Sequence, residues 1–122
     1  ELVREIVVPL LAPGARYHFE KVSNRTTLDI AAVNTAVRVT RGADGAITDL
    51  KLSAGGVGPT PLLVPGLESF HGKKLDAATV EALARAAMDA ARPIDDIRGS
   101  AAYKKALLGQ LVRAHFAAEV TR

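Results

Sequence analysis

Cysteine is absent from the 122 residues. Disulfides, iron–sulfur clusters, thiolate zinc sites and a thiol nucleophile are therefore excluded within this chain. Tryptophan is absent too, and the aromatic residues are two Tyr and three Phe. That is too few rings, with the cations too scattered, for a platform that stacks and neutralises nucleic acid. No apolar run approaches the roughly 20 residues needed to span a bilayer. The first residues, Glu1 to Glu5, are charged and unlike a secretory leader, so a cytoplasmic location is expected. Catalytic patterns are missing as well. There is no Gly-x-Ser-x-Gly elbow. His18, His71 and His115 lie far apart, and none has a carboxylate or second His at i+3 or i+4 within a ligand motif, so no metal site is expected. The glycine-rich stretch Gly55 to Pro61 lacks the terminal Lys-Ser/Thr of a phosphate loop and the spacing of a dinucleotide fingerprint. Its expected role is a rigid connection.

What is there bounds a single domain, residues 1–122, with a formal charge of +3 and a pI near 9.5. A chain of this length buries about 65% of its unfolded surface, enough for a modest core. Residues 2–11 read as a strand that Pro9 places near an edge or ends, because proline cannot donate to a ladder. A turn at Ala12, Pro13 and Gly14 leads to a strand over residues 16–22. An extended pattern over residues 30–41 follows, with Val33, Thr35, Val37 and Val39 on one face. Gly42 to Gly45 closes a hairpin, and residues 46–54 return with Leu50, Leu52 and Ala54 alternating with polar side chains. The glycine-rich stretch is expected to end the sheet.

The second half reads as helical. A short turn over residues 67–71 is stopped by Gly72. Asp76 caps a helix to about Ala91 with the stripe Val80, Leu83, Ala84, Ala87, Met88 and Ala91. Residues 93–99 form a charged loop, in which Asp95 and Asp96 are placed to cap the next helix or pair with Arg98. Ser100 caps the last helix, with the expected stripe Tyr103, Leu107, Gln110 or Leu111, and Ala114. Strands followed by helices predict an α+β fold: a three- or four-stranded antiparallel sheet packed against about three helices.

The stretch from Tyr17 to Asn34 organises the chain. Ser23 to Thr27 interrupts the strand pattern with short polar side chains that compete for backbone hydrogen bonds. Lys21, Arg25 and Asp29 are thereby gathered at a bend between two apolar strands. Such a bend suits a ligand or a neighbouring domain, or equally a solvated turn with a surface ion pair.

Three blocks carry a resemblance. They are Phe19-Glu-Lys-Val-Ser-x-Arg with Leu28-Asp-Ile-Ala-x-Val-Asn, then Gly55-Gly-Val-x-Pro-Thr-Pro, then Asp96-Ile-Arg-Gly-Ser-Ala-x-Tyr-Lys. In this order and spacing the chain resembles the C-terminal domain of the FAD-binding subunit of molybdenum hydroxylases, the CO dehydrogenase flavoprotein and xanthine dehydrogenase family. The resemblance implies a domain of an oxidoreductase flavoprotein subunit, with no turnover alone. It implies FAD in the complete subunit and none bound by this chain by itself. The implied partners are the N-terminal FAD-binding subdomains, the Fe–S subunit and the molybdopterin subunit. Four positions carry over as cofactor-facing: Lys21, Arg25, Asp29 and Ile30. The alternative is a stand-alone binding or assembly module of the same fold without flavin.

Overall fold

The computed structural model describes residues 2–120. Four strands form one antiparallel sheet: β1 (Ala15–Val22), β2 (Val33–Arg41), β3 (Ile47–Gly55) and β4 (Leu62–Leu63), in the spatial order β1-β2-β3-β4. A 3₁₀ turn at Leu67–Phe70 leads to α1 (Ala77–Ala90) and α2 (Ala101–Val120), which cover one face. This is the expected α+β architecture, with two long helices and one short turn.

The sheet follows from alternation. Val33, Thr35, Val37 and Val39 of β2, and Leu50, Leu52 and Ala54 of β3, are buried on the helix side. The register pairs Val37 with Leu52 and Val39 with Leu50, so the two apolar rows are contiguous. A one-residue slip of either strand would turn its apolar row to solvent, which fixes the register. The opposite face has no helix on it and carries Tyr17, Phe19, Arg38, Lys51 and Leu63. At the β2–β3 turn the Gly45 N–H donates to the Gly42 carbonyl and the Ala46 N–H to the Asp44 carboxylate. The glycine-rich stretch does not end the sheet, because β4 follows it and pairs with Ser53 and Ala54.

Asp76 caps α1 as expected, its carboxylate accepting the Thr79 N–H at 2.8 Å. Val80, Leu83, Ala84, Ala87 and Ala91 are buried, and Met88 is half-buried. Ser100 caps α2 through the Tyr103 N–H at 3.1 Å. The stripe of α2 is rotated by about one residue from that expected. Lys104, Leu108, Leu111, Val112, His115 and Phe116 face inward, while Tyr103 and Ala114 are exposed. Buried Lys104 and His115 account for the shift: the sequence pattern excludes polar side chains from a core face, yet Lys104 reaches Asp96 and the Ile94 carbonyl and His115 reaches buried Thr35. Gly109 lets the helices approach, since a Cβ there would meet the Met88 sulfur at 2.8 Å.

One expected strand is missing. Residues 2–11 join no ladder among the described residues, and their apolar side chains are exposed. Strand propensity alone cannot supply the partner a strand needs.

Candidate functional site

β1 and β2 are joined by residues 23–32, a ten-residue loop closed by the Ala32 N–H donating to the Val22 carbonyl at 2.8 Å. The extended segment therefore starts at Val33, and Ile30 belongs to the loop. Short polar side chains such as Ser23 favour an irregular course here, since they compete with ladder bonds. Ser23 Oγ donates to the Arg25 carbonyl at 2.9 Å.

The predicted charged residues meet at this loop, and they bond chiefly to one another's backbone. Lys21 Nζ donates to the Asp29 carbonyl at 2.6 Å. The Arg25 N–H donates to the Asp29 carboxylate at 2.8 Å, and the Arg25 guanidinium to the Leu28 carbonyl at 2.7 Å. The Arg25–Asp29 ion pair is loose, at 3.8 Å. These side chains shape the loop in the manner of internal turns. Leu28 is held there at φ 50, the one non-glycine residue with positive φ among those described. Such a conformation costs about 1–2 kcal/mol for an ordinary side chain. Leu28 is also 94% exposed, and Ile30 beside it 68%. An apolar pair is thus presented to the outside from a loop pinned by cations. Backbone strain at an exposed, over-determined position is a hallmark of functional loops.

The other two blocks converge on the same end. Gly56, at φ 78, lies against the first loop so closely that a Cβ would run into the Ala32 carbonyl oxygen. The Arg92 N–H donates to the Val57 carbonyl at 2.8 Å, joining the end of α1 to the glycine turn. Asn24, Asp29, Ile30 and Ala32 share a cavity of about 130 Å³ with Ile97 and Arg98. A second cavity, about 370 Å³, lies between Gly56, Gly58 and Pro59 on one side and Arg92, Ile94, Asp96 and Lys104 on the other.

Lys104 sets the third block in place. It is 2% exposed, pairs with Asp96 at 2.6 Å and donates to the Ile94 carbonyl at 2.8 Å. The hydrogen bond from Lys104, and next that from the Arg98 N–H, hold the Asp96 carboxyl below the usual carboxylate range. Asp95 accepts the Ala101 N–H at the start of α2, so the two adjacent carboxylates do different work.

Spacing in the sequence gives no hint of Ile97 and Arg98 as neighbours of the bend; only the third resemblance block contains them. Two of the histidines, distant in sequence, meet in the fold. His18 and His115, 97 residues apart, meet with their Nδ1 atoms at 2.9 Å, and His115 Nε2 lies 2.8 Å from Thr35 Oγ1. Burial, then the charge of His18, push His115 from 6.5 down to about 4. Only the sheet register, which puts His18 opposite Val37 on the helix side, makes this contact legible. No group of three or more His, Cys, Asp or Glu able to hold a metal occurs among the described residues.

Fold and site together define an α+β domain with a distinctive end: exposed apolar side chains on a pinned loop, with segments distant in sequence packed around it. The chain belongs to the CO dehydrogenase flavoprotein C-terminal domain family, whose model matches residues 18–118. It is 35% identical over 114 residues to the carbon monoxide dehydrogenase medium chain of Hydrogenophaga pseudoflava. That match covers 93% of this chain and 39% of the relative. A carbon monoxide dehydrogenase structure from Hydrogenophaga pseudoflava matches at TM-score 0.80 and 33% identity, over 88% of this chain and 37% of the other. A reconstituted CO dehydrogenase from Oligotropha carboxidovorans matches at TM-score 0.80 and 25% identity, with the same coverage. Quinoline 2-oxidoreductase from Pseudomonas putida 86 shares the fold at TM-score 0.75 and 21% identity, over 84% of this chain and 35% of the other. The chain thus spans less than half the length of these relatives.

Proposed function

We propose that this chain serves as the C-terminal domain of the FAD subunit of a molybdenum-hydroxylase oxidoreductase. In this reading it covers one side of the flavin and helps to dock the Fe–S and molybdopterin subunits, as electrons pass from Fe–S clusters to FAD and then to an acceptor. The observation that carries the reading is the convergence of all three sequence blocks on the end of the domain around Asp29, Ile30 and Arg98.

The residues fit FAD as one wall, without forming a container. The cavity at Asp29 and Ile30, about 130 Å³, is smaller than the roughly 300–1,000 Å³ of pockets that enclose a ligand, and the 370 Å³ cavity beside Gly56 is lined by none of Lys21, Arg25, Asp29 and Ile30. Ile30 offers an exposed apolar surface for a planar ring. Lys21 uses one of its three donors on the Asp29 carbonyl and keeps the others for polar groups of a cofactor. Arg25 and Asp29 hold the loop in the shape that presents Ile30. FAD, when bound, supplies reversible two-electron chemistry; the chain's own part is to position, cover and exclude water.

Isothermal titration tests the wall. FAD should bind the isolated chain with a Kd weaker than about 1 mM, worth only some 4 kcal/mol. So few contacts cannot offset the freedom lost by a large flexible dinucleotide. In an assembled subunit, Lys21→Ala and Ile30→Asp should lower flavin retention without unfolding the domain, and should leave the melting temperature of the isolated, flavin-free chain unchanged. A stoichiometric micromolar complex with the isolated chain would give it a flavin site of its own and overturn the wall.

A further inference from the structure

Residues 2–11 carry the largest unexplained apolar surface of the chain. Leu2, Val3, Ile6, Val7, Val8 and Leu10 are each at least 78% exposed. Solvent does not select such a run, and contiguous exposed apolar side chains mark a contact surface. The pattern is that of a strand with both faces covered. Ile6 and Val8 fall on one side and Val7 on the other, so no polar face remains at its centre. The segment also lies outside residues 18–118, the part matched by the domain family.

Its own sheet does not take it in. β1 is an edge strand, and the Ala15 N–H donates to the Ala12 carbonyl in a tight turn just before it. A hairpin onto β1 is thus within reach, yet no ladder among the described residues includes residues 2–11. The chain instead leaves across the face without helices. Pro9, Leu10, Leu11 and Ala12 line a cavity with Ala15, Arg38, Thr40 and Asp49. That same face exposes Tyr17, Phe19 and Leu63.

We infer that residues 2–11 form a strand of a second sheet, one belonging to the portion of the flavoprotein subunit that this chain does not span. The segment docks there by strand addition, in which main-chain hydrogen bonds give affinity and alternate side chains fill pockets on both faces. The occupant follows from the comparisons. The chain corresponds to 39% of the Hydrogenophaga pseudoflava medium chain and to its C-terminal domain, so the larger remainder of that relative precedes the matched domain. Pro9 sets the paired edge. It lacks an N–H, so the edge formed by odd-numbered residues has a gap, and the ladder runs along Arg4, Ile6 and Val8. The inference rests on the reading that this domain completes a flavoprotein subunit.

The test is co-expression of the 122-residue chain with the remainder of the Hydrogenophaga pseudoflava medium chain, without added flavin. The two should co-purify in equal amounts. The amides of Arg4, Ile6 and Val8, on the paired edge, should exchange at least about 100-fold more slowly than in the chain alone. Ile6→Pro should abolish both effects, yet leave the melting temperature of the isolated chain unchanged, since residue 6 lies outside the core. Co-purification with Arg4, Ile6 and Val8 still exchanging freely would overturn the strand and leave the subunit reading intact. Failure of the unaltered chain to co-purify would overturn both. Slow exchange in the isolated chain would mean pairing with its own β1 or with a second copy, and would also overturn the inference.

Discussion

His115 shows how one buried side chain ties a helix to a sheet and exposes both to acid. Its Nε2 meets Thr35 Oγ1, and its Nδ1 faces that of His18. Across the second contact one ring must donate and the other accept, so protonating both rings sets two N–H groups head to head. Burial is the larger cause that holds the folded-state value near 4, against 6.5 for a free imidazole, and the His18 charge the smaller. The sign follows directly. Between those two values the unfolded chain binds a proton that the folded chain does not, so stability falls as pH drops from about 6.5 to about 4. Allowing for partial solvation, the loss is about 2 kcal/mol. Urea midpoints at pH 7 and pH 4.5 measure it. His115→Gln retains a partner for Thr35 and cannot take up a proton, and should show a flatter profile; an equal slope in both proteins would remove His115 as the cause.

At the scale of elements, Lys104 is to the 93–99 loop what the Lys21–Arg25–Asp29 group is to the 23–32 loop. In each, cations anchored to backbone carbonyls hold an irregular segment in one shape. Lys104→Met keeps the length and apolar stem of the side chain and removes the partner of Asp96 and of the Ile94 carbonyl. Hydrogen exchange should then speed up through residues 94–100 and stay unchanged at the centre of α2. Uniform acceleration along α2 would mean that the lysine supports the helix and not the loop. Lys104 also marks the limit of reading elements from sequence. The β2–β3 hairpin and α1 are legible because their apolar periods are unbroken and their turn and cap residues sit where backbone geometry requires them. The existence of α2 is legible through its Ser100 cap, but its inward face is not, because Lys104 and His115 are core residues with polar side chains. The partners that make them tolerable, Asp96 and Thr35, come from elsewhere in the chain. Residues 2–11 mislead for the opposite reason, having strand pattern without a strand partner in this domain.

For the whole molecule, the charged bend was legible as a cluster, since Lys21, Arg25 and Asp29 are close in sequence. Its surroundings were not. Ile97 and Arg98 come from the far end of the chain to share its cavity, and Gly56 lets the glycine turn sit against the Ala32 carbonyl at a distance no side chain permits.

The strand order has a kinetic consequence. Every strand pairs with its neighbour in sequence, so the sheet can zip outward from the tight β2–β3 turn, closing only short loops. This route predicts that the ten-residue β1–β2 loop closes later and that the helices dock on a sheet already in register. Val37→Ala and Leu52→Ala, which face each other across β2 and β3, should therefore slow refolding, with φ-values of about 0.5–0.8. Val112→Ala in α2 should chiefly speed unfolding. Stopped-flow chevrons of the three variants would establish the order, and a high φ at Val112 would reverse it. On that route the 23–32 bend is among the last parts to take shape, which leaves its strained Leu28 outside the nucleus and free to vary without slowing the chain's search for its fold.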